Sequence, residues 1–122
     1  MKIRFYRTRE GKEPARDYLH SLDSKQEQKV AQILSMIQAF DGRVPAQYLR
    51  KLAGTNIWEV RVIFAGNILL LSFFDGLPRV APQQAERGGD LIIVAHGFTK
   101  KTQKTPRREI DIAERRRRDY FT

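Results

Sequence analysis

One stretch decides the fold of this chain: Trp58-Glu-Val-Arg-Val-Ile-Phe-Ala-Gly-Asn-Ile-Leu-Leu-Leu-Ser-Phe-Phe74. Residues 58–64 place apolar side chains on one face of a strand and Glu59, Arg61 and Ile63 on the other. Ala65-Gly-Asn67 then supplies a tight turn into the apolar run that follows it. The pattern predicts an antiparallel hairpin.

One strand pattern and two helical patterns precede the hairpin. Ile3 to Arg7 alternates apolar and basic residues and predicts a first strand. Pro14 predicts the start of a short helix that ends near Leu22. Ser24-Lys-Gln-Glu27 has the form of a capping box, and apolar residues recur behind it at helical spacing until Asp41-Gly42. This second helix has an apolar stripe that needs a sheet to pack on.

A long loop and another strand follow the hairpin. Residues 75–90 hold two prolines and three glycines and predict a flexible loop that contributes little to the core. Leu91 to Ala95 is wholly apolar and predicts a central strand, with His96 at its carboxyl end.

The last predicted element is a helix. Thr105 can cap it, and Pro106 can open it, so we expect a helix that runs to about residue 120. Its inward positions are predicted to be Ile110, Ala113 and Tyr120. The four arginines 115–118 fall on all sides of such a helix, so we expect them to be solvated and to suit its C-terminal dipole.

The order strand, helix, helix, three strands, helix predicts an α+β fold. In it a small antiparallel sheet packs against the N-terminal helical pair, with a C-terminal helix added. At 122 residues the chain is expected to form a single domain over residues 1–122, interrupted by the loop at 75–90.

The charge distribution favours an anionic partner. The chain carries 23 Lys and Arg against 14 Asp and Glu, a formal net charge of +9. Residues 91–122 hold nine basic and four acidic side chains, so about a quarter of the chain carries more than half of the excess. Between positions 96 and 108 there are five Lys or Arg and no acid, which points to nucleic acid.

Several classes of function are excluded or disfavoured. The chain has no cysteine, so it has neither a disulfide framework nor a thiolate metal site. It also lacks metal-ligand spacings and a glycine-rich phosphate loop, and we expect no metal and no cofactor. The apolar run Ile68 to Leu71 is far too short for a membrane span, and the N-terminus lacks a signal-peptide pattern, so a cytoplasmic location is expected.

Three blocks of the sequence carry a resemblance to a known family. They are Leu52-Ala-Gly-Thr55, Trp58-Glu-Val-Arg61 and the stretch from His96 to Tyr120. Together they resemble the HigB-like, phage-derived toxins of the RelE/ParE superfamily. Members of that family generally join the last two strands by a tight turn, where this chain has residues 75–90.

The resemblance implies a function and partners. It implies the toxin of a type II toxin–antitoxin system: an endoribonuclease that cuts messenger RNA on the ribosome and inhibits translation. The implied partners are the ribosome with its message and a helix-turn-helix antitoxin protein. The toxin would contact operator DNA only indirectly, through this antitoxin.

Two alternatives stay open. One is a ParE-like toxin that targets DNA gyrase, and the other is a non-catalytic, basic nucleic-acid-binding domain.

Metal-independent RNA cleavage requires a base for the ribose 2′-hydroxyl, cations for the charge that builds on the phosphate, and an acid for the leaving oxygen. Arg61 is the first candidate, because a permanently charged guanidinium can hold a phosphate through two donors. The alternative is a salt bridge to Glu59 or to a cross-strand acid.

The other candidates lie around the last strand. His96 could act as an acid, although a lone histidine at a strand end is more often a capping or packing residue. Lys100, Lys101 and Lys104 lie in the acid-free loop, where mutual repulsion favours the neutral, basic form of a lysine. One of them could be the base, and together they predict a phosphate contact. Further phosphate contacts are expected from Arg107 and Arg108 and, as the resemblance implies, from Arg50 and Lys51 across the same groove.

Overall fold

The computed structural model describes residues 1–76 and 91–122. In chain order the elements are β1 (Lys2–Phe5), α1 (Pro14–His20), α2 (Ser24–Ala39), β2 (Leu49–Lys51), β3 (Trp58–Ile63), β4 (Asn67–Asp75), β5 (Leu91–Lys100) and α3 (Arg107–Tyr120). Most of the loop predicted for residues 75–90 lies outside the described residues, while Asp75 is the last residue of β4.

The five strands form one sheet in the order β1-β5-β4-β3-β2. Neighbours from β5 to β2 are antiparallel, whereas β1 pairs with β5 in parallel. The predicted α+β class is confirmed, and the hairpin of β3 and β4 is present. The expectation of a wholly antiparallel sheet is wrong at β1. This strand is joined to the others through two helices, so no hairpin turn forces it to be antiparallel.

Helices cover both faces of the sheet. The first face packs against α1 and α2, where Ile37 is fully buried in the larger apolar cluster. The second face packs against α3, where Ala113 is fully buried in a smaller cluster. β4 contributes to both clusters, with Leu70 in the larger and Phe73 in the smaller. Burial on both faces explains why this strand reads as a continuous apolar run.

The helix ends differ in part from the sequence predictions. α1 begins at Pro14 as expected. The capping box of α2 lies one residue earlier than predicted: the Asp23 carboxylate accepts from the Gln26 amide N–H at 2.8 Å, and the Gln26 side chain accepts from the Asp23 N–H. Aspartate is as good an N-cap as serine, so the sequence offers two overlapping boxes and the structure uses the first.

α3 lacks the predicted cap. Pro106 occupies the N-cap position, and no side chain caps the helix. The Thr105 hydroxyl instead donates a 2.9 Å hydrogen bond to Glu59 Oε2. The predicted inward positions are confirmed, since Ala113 is buried and Ile110 and Tyr120 pack against the smaller cluster. No helix in the described ranges is long and apolar enough to cross a membrane.

Two differences in the strands change the candidate site. β5 extends to Lys100, so the prediction that it ends at Ala95 with His96 at its rim is wrong: His96 lies inside the strand, opposite Leu71. The register of β4 with β5 shifts beside Leu71, which leaves Ala95 as an extra residue in a β-bulge. The short edge strand β2 was not predicted, because three residues are too few to show a period.

Candidate functional site

A basic groove lies where the end of β5 meets the start of β4. Asn67 and Lys100 are register partners there, and the loop after β5 folds over the same end of the sheet. The groove has a volume of ≈ 660 Å³. Its lining residues are Arg50, Arg61, Asn67, Lys100, Lys101, Thr102 and Gln103. Four of the seven are cations and none is an acid, so a phosphate entering the groove meets one sign of charge.

Arg61 lies at the inner wall of this groove. Its side chain is 26% exposed, and its Nε is 3.5 Å from Glu59 Oε1. The salt bridge considered from the sequence is therefore present, but it is not on the surface, because Glu59 is 0% exposed. The face of β3 that carries these two residues is covered at Glu59 and opens to the groove at Arg61.

Arg50 reaches the groove from β2. It is the register partner of Glu59, and its Nε lies 3.6 Å from the same carboxylate oxygen, Oε1. Two guanidinium groups from neighbouring strands thus face one buried carboxylate. The placement of Arg50 across the groove from the loop lysines, which the resemblance implied, agrees with this geometry.

The loop lysines occupy different environments. Lys100 is only 9% exposed, and its Nζ donates to the Gln103 carbonyl oxygen at 3.1 Å, which closes the start of the loop. Lys101 is exposed and lines the groove. Lys104 is exposed and is not among the lining residues, and its carbonyl oxygen accepts from the Thr102 hydroxyl at 2.7 Å. Only two of the three lysines therefore border the groove.

The remaining predicted phosphate contacts lie outside the groove lining. Lys51 is exposed at the end of β2. Arg107 and Arg108 are exposed in the first turn of α3, where Arg107 Nε pairs with Asp111 Oδ1 at 3.0 Å. These cations extend the basic surface beyond the groove rather than forming its wall.

His96 is also separate from the groove lining. It packs under α3, stacked on Phe98, with Nε2 3.2 Å from Glu109 Oε2 and Nδ1 3.3 Å from Arg116 Nη1. Since a guanidinium only donates, Nδ1 accepts, and the ring proton lies on Nε2, directed at Glu109. Burial lowers the pKa of His96 below its ordinary value, against the opposing effect of Glu109. Both ring nitrogens are thus engaged: burial and the charge of Arg116 favour the neutral ring, and Glu109 acts in the opposite direction.

Arg116 contacts the backbone of β5 as well as the ring of His96. Its Nη1 donates to the Ala95 carbonyl oxygen at 2.8 Å, which is the backbone group exposed by the bulge in β5. Nothing in the sequence separates this arginine from its three neighbours in the run 115–118. Burial lowers the pKa of Arg116, because its guanidinium lies between α3 and β5, where the charged form is less well solvated.

Arg61 also borders a second cavity, at the edge of the sheet where β2 begins and β3 ends. This cavity has a volume of ≈ 380 Å³ and lies between α2 and β3. Its other lining residues are Lys29, Ile33, Gln47, Tyr48, Val62 and Ile63. Arg61 therefore stands where a polar, cationic groove meets a mixed, more apolar cavity.

Sequence reasoning missed three neutral groove residues and the role of Glu59. Asn67, Thr102 and Gln103 carry no charge and no motif. The register of β4 with β5 brings Asn67 to the groove, and the loop that follows β5 brings Thr102 and Gln103. The sequence predicts Glu59 as a partner of Arg61 but does not predict that it is buried. Its position two residues before Arg61 was the available signal, since both then share one strand face.

The arrangement can bind and stabilise a phosphate. Two guanidiniums supply permanent charge and paired donors, and Lys101 supplies an exposed amine at the same groove. Residues 1–76 and 91–122 contain no group of three or more His, Cys, Asp or Glu side chains placed to hold a metal ion.

Part of the chain matches a known protein family. Residues 85–118 match the model of the family described as "Phage derived protein Gp49-like (DUF891)", a family linked to RelE- and HigB-type toxins. The matched segment contains β5, the cationic loop and most of α3. No curated protein matches the chain.

Proposed function

We propose that this chain is the toxin of a type II toxin–antitoxin pair, and that it cuts messenger RNA without a metal while the message is on the ribosome. The observation that carries the proposal is the groove itself, where Arg50, Arg61 and the two loop lysines meet around ≈ 660 Å³ with no acidic lining residue. The match of residues 85–118 to a toxin-linked phage family supports the same reading.

The proposed reaction is an internal displacement at phosphorus. A neutral lysine amine, for which exposed Lys101 is the best placed, takes the proton of the ribose 2′-hydroxyl. The 2′-oxygen then bonds to the adjacent phosphorus, the bond to the 5′-oxygen breaks, and the leaving oxygen takes up a proton from water. The products are a 2′,3′-cyclic phosphate and a 5′-hydroxyl.

Arg61 is proposed to stabilise the charge on phosphorus in this step. Its Nε side faces Glu59, which leaves the outer edge of the planar guanidinium for two phosphate oxygens. Arg50 and the ammonium of Lys100 add charge around the same position. His96 has no part in the proposed chemistry, because both its nitrogens are engaged beneath α3.

Arg61→Ala tests the proposal against simple RNA binding. Removal of one transition-state donor typically slows a reaction on the order of a hundredfold or more, so the variant should lose message cleavage while it stays folded and still binds ribosomes. The assay is primer extension on messenger RNA with purified ribosomes at matched occupancy. Arg9→Ala is the control, since Arg9 is an exposed cation outside the groove lining.

Three outcomes would contradict the proposal. Parent-like cleavage by Arg61→Ala would make Arg61 a structural residue. Loss of cleavage after the toxin alone is treated with chelator and desalted, before ribosomes are added, would contradict the metal-free mechanism. Gyrase-linked DNA breaks with intact messages would select the ParE-like alternative.

The proposed partner is a helix-turn-helix antitoxin that masks the basic groove. Expression of the chain alone should then arrest growth by stopping translation, and co-expression of a short helix-turn-helix protein from a neighbouring reading frame should restore growth. Normal growth and normal protein synthesis at confirmed soluble expression of the chain alone would count against a toxin.

A further inference from the structure

Glu59 stands out because it is an acidic side chain that faces two arginines of the groove and is completely buried. It is 0% exposed, and its two oxygens face different groups. Oε2 accepts the hydrogen bond from the Thr105 hydroxyl at 2.9 Å. Oε1 lies 3.5 Å from Arg61 Nε and 3.6 Å from Arg50 Nε. Among the described residues, Glu59 Oε1 and Arg61 Nε are buried polar atoms without a hydrogen-bond partner.

A buried carboxylate is a costly way to fill this position. Glu59 lies on the face of β3 that packs towards α3, opposite the fully buried Leu71. Replacement of a buried ion pair by apolar side chains of similar volume is often neutral or stabilising. The charge at this position is therefore poorly explained by stability alone. The groups it contacts are instead the cations of the groove.

The contacts of Glu59 join three separate segments. Arg50 belongs to the edge strand β2, Arg61 to the open end of β3, and Thr105 to the segment that links the lysine loop to α3. Arginine side chains on a sheet edge have considerable rotamer freedom, and two guanidiniums repel each other. A carboxylate between them offsets this repulsion and holds the Nε side of each guanidinium towards the protein.

We propose that Glu59 is a positioning residue for the groove: its buried carboxylate fixes the guanidinium of Arg61, and with it that of Arg50, so that their outer edges present donors to a phosphate of the RNA substrate. This inference rests on the proposed function for the identity of the substrate. The placement of the arginines is a property of the free protein and can be measured without any substrate.

Glu59→Gln is the direct test. The amide keeps the size and can still accept from Thr105, but it removes the charge that holds the two guanidiniums. In the free protein, the ¹⁵Nε–¹Hε resonance of Arg61 should shift and its order parameter should fall. In the cleavage assay, kcat should fall on the order of tenfold with a smaller change in KM. Asp17→Asn is the matched control, because Asp17 is an exposed carboxylate on α1.

A double-mutant cycle separates positioning from general structural damage. If Glu59 acts mainly through Arg61, Glu59→Gln should change the residual rate much less when Arg61 is already alanine than in the parent, since only the effect through Arg50 is left. An effect of equal size in both backgrounds would overturn the inference. Thr105→Val removes only the hydrogen bond to Oε2, so it carries the test if Glu59→Gln does not fold. It should perturb the Arg61 Nε resonance while the fold is retained.

The outcomes for the two proposals are distinguishable. A parent protein that does not cleave messages would overturn the proposed function, while the NMR measurement would still decide whether Glu59 positions the arginines. An unchanged Arg61 Nε resonance and order parameter in folded Glu59→Gln would overturn the positioning role even in an active enzyme. The same unchanged signals in Thr105→Val would overturn it if Glu59→Gln is unfolded.

Discussion

Gly97 offers a stability test that depends only on the fold. It lies on β5 facing α1, and a Cβ added there would be 2.5 Å from Cδ2 and 3.1 Å from Cε2 of Tyr18, and 3.1 Å from a methyl of Leu70. The ring of Tyr18 would have to move by about 1 Å to reach ordinary contact distance. That movement would pull its hydroxyl from Thr99 Oγ1, to which it is hydrogen-bonded at 2.7 Å.

The expected cost of Gly97→Ala follows from these contacts. Overpacking of this kind typically costs about 1–3 kcal/mol, and a weakened side-chain hydrogen bond adds about 1 kcal/mol. The lower entropy of the unfolded alanine chain offsets about 0.4–1 kcal/mol. The net destabilisation should be about 2 kcal/mol, which for a chain of this size lowers the melting temperature by roughly 6–12 °C.

Urea and thermal unfolding followed by circular dichroism measure the effect, and a second background identifies its cause. In a Tyr18→Ala background the added methyl has room, so Gly97→Ala should become neutral or slightly stabilising. A coupling of at least about 1 kcal/mol is expected between the two positions. Equal destabilisation in both backgrounds, or a parent-like single variant, would show that the ring of Tyr18 does not restrict position 97.

Two further predictions concern pH and salt. Because burial lowers the pKa of His96 in the folded state, its contribution to stability is fully present above its ordinary pKa of about 6.5 and is lost as pH falls through the lower folded value. His96→Gln should flatten the dependence of the unfolding free energy on pH below about 6.5, and an unchanged profile would contradict the buried, neutral ring. Lys101→Ala should weaken RNA binding and reduce the slope of log affinity against log salt by about 0.7, as expected for one lost phosphate contact. An unchanged slope would place Lys101 outside the bound strand.

The large elements could be read from the sequence because each has a local period. The hairpin of β3 and β4, the helix α2 and the helix α3 are all present where apolar spacing predicted them. The direction of β1 could not be read in this way, because it depends on which strand of the completed sheet it meets. The edge strand β2 was missed for a related reason, since its three residues form a strand only through their pairing with β3.

The candidate site was predictable in its charges but not in its assembly. Arg61 could be named because it lies two residues after Glu59 on a predicted strand. The lysines could be named because they lie in a basic loop without an acidic residue. The burial of Glu59 could not be predicted, since it depends on α3 and Thr105 covering that face of β3. The engagement of His96 by Glu109 and Arg116 likewise requires the packing of α3 on β5.

The bulge at Ala95 explains why Lys100 joins the groove on the α3 side of the sheet. In a regular strand, successive side chains alternate between faces, and one extra residue reverses the alternation beyond it. Ala95 and His96 both face α3, after which Gly97 and Thr99 face Tyr18 of α1.

Lys100 therefore falls on the α3 side, the face that also carries Arg61 and Arg50, whereas an unbulged strand would direct it to the opposite face. The carbonyl oxygen that the bulge exposes is satisfied by Arg116. Arg116 of α3 thus stabilises the bulge that places Lys100 on the same face of the sheet as Arg50 and Arg61.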